Sequence, residues 1–587
     1  MGGIRMIDAN AARRGSRSST RTLMFHSMCA PALTLAVALV IGACAEVRNF
    51  LIPPPTLSGA AGRKADDFRH ADLVLVVEGA GPSGVDDAVA IRGSVVVGRG
   101  PLEALRTQYI GRSTAIRAFT TGHLSAGIVD AHVHLEGAAL LGSAIDLRAV
   151  RDLDGLAGAF SRRVPLRGDG GWLWGFGMDR VLAAQLTASL LEERLPGVPI
   201  WLSTGDGHGA VLSPALLASL SLPASPIPVN GKVEGAASRH LWQLLPRPQP
   251  ARLAGLLLEV LTGLRRQGIT EVHDMGANLQ MRAALHTLER DGRLPIRVRL
   301  FLDGELPEVQ ALIAEATAAD PKNPLRTGGR AGAASSPVRE WQSRLVHVAG
   351  VKYWLDGSIA ARSAALVADY SDAPGQRGVL NYSDDQLAAR IRAADAARLE
   401  VAVHAIGDAA VAQVARVLAG FTRPAAAAPV RIEHAQVISP ETLAALARLD
   451  VRCSVQPQHA VADIGTASAR LGNERLVYAY RLASLDRVCP LLVGSDLPVV
   501  AADPFADWQI LLAGAPSAAA DEGLTLARAR QVISARPVEV TGPLLIGAPA
   551  DLVVWSREPW GAGAGTVTEG GPARALYVVV GGVPAIP

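Results

Sequence analysis

From residue 126 onward the apolar positions fall into short runs that end in polar residues: "AGIVDAHV", "VPIWLST", "ITEVHDM", "IRVRLFL", "VHVAGVKYW", "LEVAVHAI", "PVRIEHAQV", "VRCSVQP" and "PLLVGSD". Runs of this length, rich in β-branched residues, predict strands. Between several of them lie Ala/Leu/Arg segments of helical period, such as 383–399 and 439–449. Repeated strand–helix units predict a parallel sheet. About eight of them in roughly 400 residues fit an α/β fold of the (β/α)8 TIM-barrel type better than an open doubly wound sheet. No Gly-x-Gly-x-x-Gly opens the first unit, which also argues against a dinucleotide fold. Ahead of this region, "ADLVLVVEGA" and "AVAIRGSVVVGRG" read as strands of a small antiparallel sheet, and "GAPADLVVWS" and "ALYVVVGGVP" repeat the pattern at the far end. The two pieces, 69–126 and 536–587, predict a small β-sandwich-like domain built from both flanking segments around a barrel at 127–535. One stretch inside the barrel, 319–340, is rich in Gly, Pro, Ala and Ser and reads as a flexible insertion.

The leader has a pattern of its own. A basic stretch precedes "PALTLAVALVIGAC" (31–44), an apolar run too short to cross a bilayer comfortably and of the right length for a signal-peptide core. It ends in Ile41-Gly42-Ala43-Cys44, which resembles the bacterial lipobox, so 1–44 is expected to be a signal peptide with Cys44 as the lipidation site. Residues 45–68 read as a tether. Glu46 lacks the aspartate that retains some lipoproteins at the inner membrane, so the expected location is the bacterial envelope, facing the periplasm, with the outer membrane preferred. The basic stretch is long, and Met24 offers an alternative start. Arg13-Arg14 lacks the usual twin-arginine context.

Charge sharpens this division. The formal net charge is +3, but residues 1–43 carry five arginines against Asp8, or +4, which leaves −1 for the remainder. The basic balance belongs to the leader, and nothing points to a nucleic-acid partner. Partners are expected to be a small-molecule substrate and, through the lipid anchor, a membrane; the oligomeric state is open, a homo-oligomer included. Beyond the leader only Cys453 and Cys489 remain. Two cysteines make no disulfide framework, and both lie in apolar stretches, so buried free thiols are expected.

In a barrel, reactive groups sit at the C-terminal ends of the strands. Here those ends carry Asp130, His132 and His134, then Lys352 and Asp356, then His404, His434 and Asp496. On a strand His132 and His134 share one face. Singly, each of these residues has an ordinary reading: a hydrogen-bonded histidine, a snorkelling lysine, a capping aspartate. Together, in this order around a barrel, they point to a metal site. Imidazoles and carboxylates suit Zn2+ and similar cations, which lower the pKa of water and polarise a carbonyl.

With "VKYWLDGSIAARSAAL", "HAIGDAA", "RIEHAQVIS", "GSDLPV" and "GAPADLVVW", the chain resembles the amidohydrolase superfamily, in its family 3 branch of YtcJ-like and N-substituted formamide deformylase-like enzymes, over about 70–587. The resemblance implies a metal-dependent hydrolase of carbon–nitrogen bonds. It departs from the family at Ala126-Gly127, where Pro-Gly is usual, and at Ser213, where Asn is usual after "DGH". His132, His134 and Asp496 are expected to form one ligand set and His404 with His434 a second, with Asp496 moving the proton from water to the leaving nitrogen. Near a dication the Lys352 ammonium is disfavoured, and the neutral amine can add CO2. The resemblance implies such a carbamate in parts of the superfamily, with two ions; other members use one. Secondary candidates are His208 as a group polarising the substrate carbonyl, and His273, Arg362 and Trp174, with Trp172 beside it, as substrate contacts. Competing readings keep the metal for an ester, lactone or phosphoester, or make the chain a lipid-anchored binding protein with a dead site.

Overall fold

The computed structural model describes residues 70–80, 87–142, 144–161, 171–204, 209–220, 230–245, 247–318, 343–424, 427–516, 521–533, 546–560 and 572–585. The leader with Cys44, the tether, the insertion 319–340 and His208 lie outside the described residues.

Eight parallel strands form the barrel: Ile128–Val133, Ile269–Ala277, Arg297–Asp303, Val346–Trp354, Glu400–Ala405, Val430–His434, Val451–Val455 and Leu491–Val493. A bridge between Val133 and Leu497 joins the last strand's extension to the first. Each strand is buried nearly throughout because helices cover the outside. The helix Asp384–Ala396 shows how the sequence arranges this. Ser383 and Gln386 form a capping box at its start, and Leu387, Ala388, Ile391 and Ala394 lie on the face turned to the strands.

The barrel interior departs from the usual layers of branched apolar residues. Alternate residues bring Glu271 and His273 from the second strand, Lys352 from the fourth, and Arg431 and Glu433 from the sixth, all at most 3% exposed. Such charges are tolerable only when paired, and the pairing decides the chemistry described below.

Between the first and second barrel strands the chain builds a separate sheet. Its order runs Lys232–Glu234, Gly209–Leu212, Ile200–Thr204, Leu173–Met178 and Ile145–Asp146. "VPIWLST", which in sequence looks like a barrel strand, belongs here. The error has a physical cause: a strand followed by a helix gives the same apolar pattern whichever sheet it joins. Ser213 caps the helix that follows, and its hydroxyl accepts from Ile200 N (2.8 Å) and donates to Val198 O (2.7 Å). Its place is structural.

The flanking segments meet in two four-stranded sheets. One is wholly N-terminal (Leu73–Val77, Asp87–Arg92, Val95–Gly100 and Ala115–Phe119), and the other joins His123–Ala126 to Leu552–Trp555, Ala575–Val580 and Val583–Ala585. Leu75, Val89, Ile91, Leu552, Val554 and Val579 share one core between them. The first sheet is not purely antiparallel, since Leu73–Val77 and Ala115–Phe119 run parallel.

The two cysteines also differ from expectation. Cys453 and Cys489 form a disulfide, with Cα atoms 6.1 Å apart. Cys453 lies on the seventh strand opposite Leu491 of the eighth, so Cys489 arrives just ahead of that pairing. Thirty-six residues of sequence separate the two cysteines, and only the barrel register brings them together.

Candidate metal centre

The first, sixth, seventh and eighth strands deliver the site. His132 is the penultimate residue of the first strand and His134 follows its end. Asp130, on the same strand, ties it to the segment after the eighth: Oδ1 accepts from Ser495 N (2.9 Å) and Oδ2 from Ser495 Oγ (2.7 Å). Burial pushes the Asp130 carboxyl up to about 6. A Cβ on Gly494 would stand 2.4 Å from His132 N, so the eighth strand can pass this close only as glycine. Asp496 and His434 both hold left-handed backbone, with φ of 64° and 73°. This is an uncommon conformation for residues with side chains, kept where the surroundings determine it.

The side chains converge on Asp496. His132 Nε2 lies 3.3 Å and His134 Nε2 3.2 Å from Oδ1, while His459 Nε2 lies 3.5 Å from Oδ2. Two donor groups share this carboxylate: His132, His134 and Asp496, and His434, His459 and Asp496. His132 Nδ1 is 2.7 Å from Glu433 Oε2, and a carboxylate can only accept, so Nδ1 carries the proton. Burial, then the charge of Lys352, lowers the His132 pKa to about 4, so the ring is neutral at neutral pH. Its Nε2 therefore turns a bare lone pair toward the lone pairs of Asp496. The carboxylate stays charged: burial opposes its charge, but its surroundings, His134 among them, hold its pKa well below the ordinary range. His132 Nε2, His434 Nδ1, His459 Nε2 and Asp496 Oδ1 are buried and have no hydrogen-bond partner. The buried lone pairs facing one another at His132 and Asp496 are reconciled by a cation between them, and neutral imidazoles with one carboxylate fit a divalent ion of the zinc type.

Behind His132 the charges form a chain. Arg431 Nε donates to Glu433 Oε1 (2.9 Å), Nη2 to Ala131 O (2.8 Å) and Nη1 to His273 Nδ1 (2.9 Å). Arginine only donates, so His273 Nδ1 accepts and its Nε2–H donates to Glu271 Oε1 (3.1 Å). Glu271 in turn lies 3.6 Å from Arg297, which pairs with Asp551 of the terminal sheet at 3.2 Å. Burial works against a charged Glu433, yet Arg431 and the His132 N–H hold its pKa well below the usual range.

The expected residues sort accordingly. His132, His134, His434 and Asp496 meet. His404 lies beside His434, with ring centroids 4.5 Å apart, and lines the same cavity; its Nε2 donates to Gly357 O (3.1 Å), which leaves Nδ1 as the acceptor nitrogen, as in a ligating ring. The expected second set, His404 with His434, thus lies on the same cavity, and His459 stands beside His434 as a further donor. His459 escapes the strand-end rule because it lies in the first turn of the helix Pro457–Leu471; a histidine within four residues of a barrel strand's end was the available signal. Lys352 is fully buried and its charge acts on His132, Glu433 and His434. Asp356 accepts from Ala365 N, Ile406 N and Gly407 N and fixes the loop after the fourth strand. His273 is no substrate contact: the Glu271–Arg431 chain encloses it. Arg362 is none either, because Asp372 takes its guanidinium at 2.8 and 3.0 Å and it does not line the cavity. Trp174 does line it, and the cavity over Asp496 measures about 590 Å³.

With this geometry in hand, similarity to known proteins is informative. The sequence model of the amidohydrolase family matches residues 121–586. The chain is 28% identical over 450 residues to the protein LONG AFTER FAR-RED 3 of Arabidopsis thaliana, covering 71% of this chain and 73% of that one. It is 26% identical over 441 residues to the YtcJ protein of Bacillus subtilis, covering 71% and 78%. A solved structure described as an uncharacterized metal-dependent hydrolase from Pyrococcus furiosus superposes with a TM-score of 0.65 at 25% identity, covering 83% of this chain and 100% of that one. Its counterpart from Pyrococcus horikoshii gives 0.67 at 24%, with 84% and 99% covered, and shares the fold.

Glu433 is expected to set metal affinity through the His132 tautomer. Replacing Glu433 by Gln leaves Arg431 without its counterion and no longer demands the proton on Nδ1. Chelator competition should show metal binding weakened about 10- to 100-fold. Unchanged affinity would mean that the His132–Glu433 contact does not orient the ligand.

Proposed function

This chain belongs to the amidohydrolase family, and from that premise we propose that it is a metal-dependent hydrolase cleaving the carbon–nitrogen bond of an amide, formamide or cyclic amide. The observation that carries the reading is the Asp496 carboxylate, facing the nitrogens of His132, His134 and His459 at the floor of the cavity. A divalent ion held by these donors would lower the pKa of water toward 7 and polarise a carbonyl oxygen. Asp496 is ionised and is 7% exposed as a side chain, so it can take a proton from attacking water. An amide nitrogen leaves only when protonated, and the acid so formed on Asp496 supplies that proton. An ester would need less help, which is why the nitrogen reading is preferred.

Lys352 enters the same proposal. Addition of CO2 to its neutral amine, with loss of one proton, gives a carbamate with two further oxygens beside His132 and His434. This favours two ions over one.

The export reading is also ours to propose, with anchoring by lipid at Cys44. It is supported by the leader and by the Cys453–Cys489 bond, since disulfides persist in oxidising compartments. Among the described residues no helix is long and apolar enough to cross a membrane.

Two measurements test these statements. Asp496→Asn should retain part of its metal yet lose amide turnover by about three orders of magnitude or more, and Lys352→Ala should bind one metal fewer and regain activity with short-chain carboxylic acids. Near-normal turnover in Asp496→Asn would refute the proton route, and unchanged stoichiometry in Lys352→Ala would refute the carbamate. Separately, Cys44→Ser expressed in a Gram-negative host should move the protein from the membrane fraction to the soluble periplasm; retention in the membrane contradicts lipid anchoring.

A further inference from the structure

The cavity over Asp496 has a wall that the bond cleavage itself does not require. Trp174 and Phe176 come to it from the strand Leu173–Met178, Trp201 from Ile200–Thr204 and Trp242 from the helix Gly235–Leu244, all in the inserted sheet domain. Trp354, on the fourth barrel strand, is a further lining residue. Aromatic residues make up only 4% of the chain, yet four of its nine tryptophans line this one cavity. Trp201 is 2% exposed and Trp174 and Phe176 are 8% exposed, so they also fill the core of the inserted domain, while Trp242 is the half-buried member of the wall.

The rings brace one another. Centroids lie 5.6 Å apart for Trp174–Phe176, 5.0 Å for Trp174–Trp242 and 5.4 Å for Trp201–Trp242, all edge-to-face. Trp174 Nε1 donates to Ser203 Oγ (2.8 Å), so Trp174 offers a ligand ring surface and no hydrogen bond. Surfaces fixed this way lose little entropy when a flat apolar partner settles on them.

The charges around the same space select further. Among the described lining residues Arg247 is the one arginine, and no lysine is present. Arg247 is already engaged. Its Nε lies 3.0 Å from Glu136 Oε1, and its Nη1 donates to Trp242 O (2.8 Å) and Leu245 O (3.2 Å). Asp303, Glu308 and Asp463 add carboxyl groups to the lining. Along this wall, away from the metal donors, a substrate carboxylate would meet repulsion and no unengaged side-chain cation among the described lining residues.

Building on the amide-hydrolase reading above, we propose that the substrate is an uncharged amide carrying a flat apolar ring system, which the tryptophan wall of the inserted domain holds, and that amides with a carboxylate beside the scissile bond are rejected. The cavity of about 590 Å³ accommodates two fused rings with a short linker.

Three amides separate the possibilities: N-acetyltryptamine, N-acetyltryptophan, which differs from it by one carboxylate, and N-propylacetamide, which has no ring. With the metal-loaded full chain, kcat/KM for N-acetyltryptamine should exceed both others by about tenfold or more. Trp242→Ala should remove that advantage, mainly through KM, while Trp242→Phe restores it and N-propylacetamide changes by less than about threefold. Glu136→Gln, which frees the Arg247 charge, should raise the ratio of N-acetyltryptophan to N-acetyltryptamine turnover. Calorimetric binding of the two indole amides should show the same order. Equal treatment of the three amides, or a Trp242→Ala loss shared by all of them, overturns this inference while the amide reading stands. Ring-selective, charge-selective binding without cleavage of any amide overturns the amide reading and leaves the wall's selectivity in place.

Discussion

A buried carboxylate faced by imidazole nitrogens that cannot all donate to it is the constraint on which the rest of the structure turns. The His132 proton is committed to Glu433 on the far side of the ring, so Nε2 meets Asp496 lone pair to lone pair. Between buried groups, that arrangement is costly unless a cation joins the two. Much of the nearby architecture enforces it. Gly494 lets the eighth strand press against His132, Asp130 ties Ser495 to the first strand, and left-handed backbone at His434 and Asp496 turns both side chains inward.

Three parts of the chain serve that centre differently. The barrel supplies candidate donors from the ends of its first, fifth, sixth and eighth strands and from the helix after the seventh. The sheet domain inserted after the first strand supplies a wall of tryptophans over them. The sandwich made by both flanking segments lies at the other end of the charge chain, where Asp551 holds Arg297 beside Glu271. Glu433, Arg431, His273 and Glu271 thus connect the orientation of a metal ligand to the floor of the barrel. A chain of this kind rigidifies a core only while each member stays paired, so a single substitution in it should be felt at both ends.

The sequence made the barrel legible because its strands are apolar runs ending in polar residues, and the same endings marked His132, His134, His434 and Asp496. His459 was hidden because it follows its strand by four residues and sits in a helix. The run "VRIEH" looks like a strand carrying one useful histidine; that Arg431 and Glu433 point into the barrel, and what they meet there, depends on a contact with His132 some 300 residues away. His273 looked like a pocket residue for the same reason: its strand position was readable, its partners were not. Arg362 was misplaced because a loop's direction is not written in its local pattern, and Asp372 ten residues on takes its charge. The inserted sheet repeated the barrel's own periodicity, and the pairing of Cys453 with Cys489 emerges only from the register of two neighbouring strands.

The central claim, that Asp496 and the histidines around it exist to hold a metal ion, is tested most directly by anomalous X-ray scattering recorded on both sides of the zinc edge from Zn2+-soaked crystals at neutral pH. The account predicts a peak within about 2.0–2.2 Å of an Asp496 oxygen and of Nε2 of His132 and His134, with a second ion, where present, toward His404 and His434. A structure with no anomalous peak at Asp496, or with its metal held only elsewhere, would contradict it.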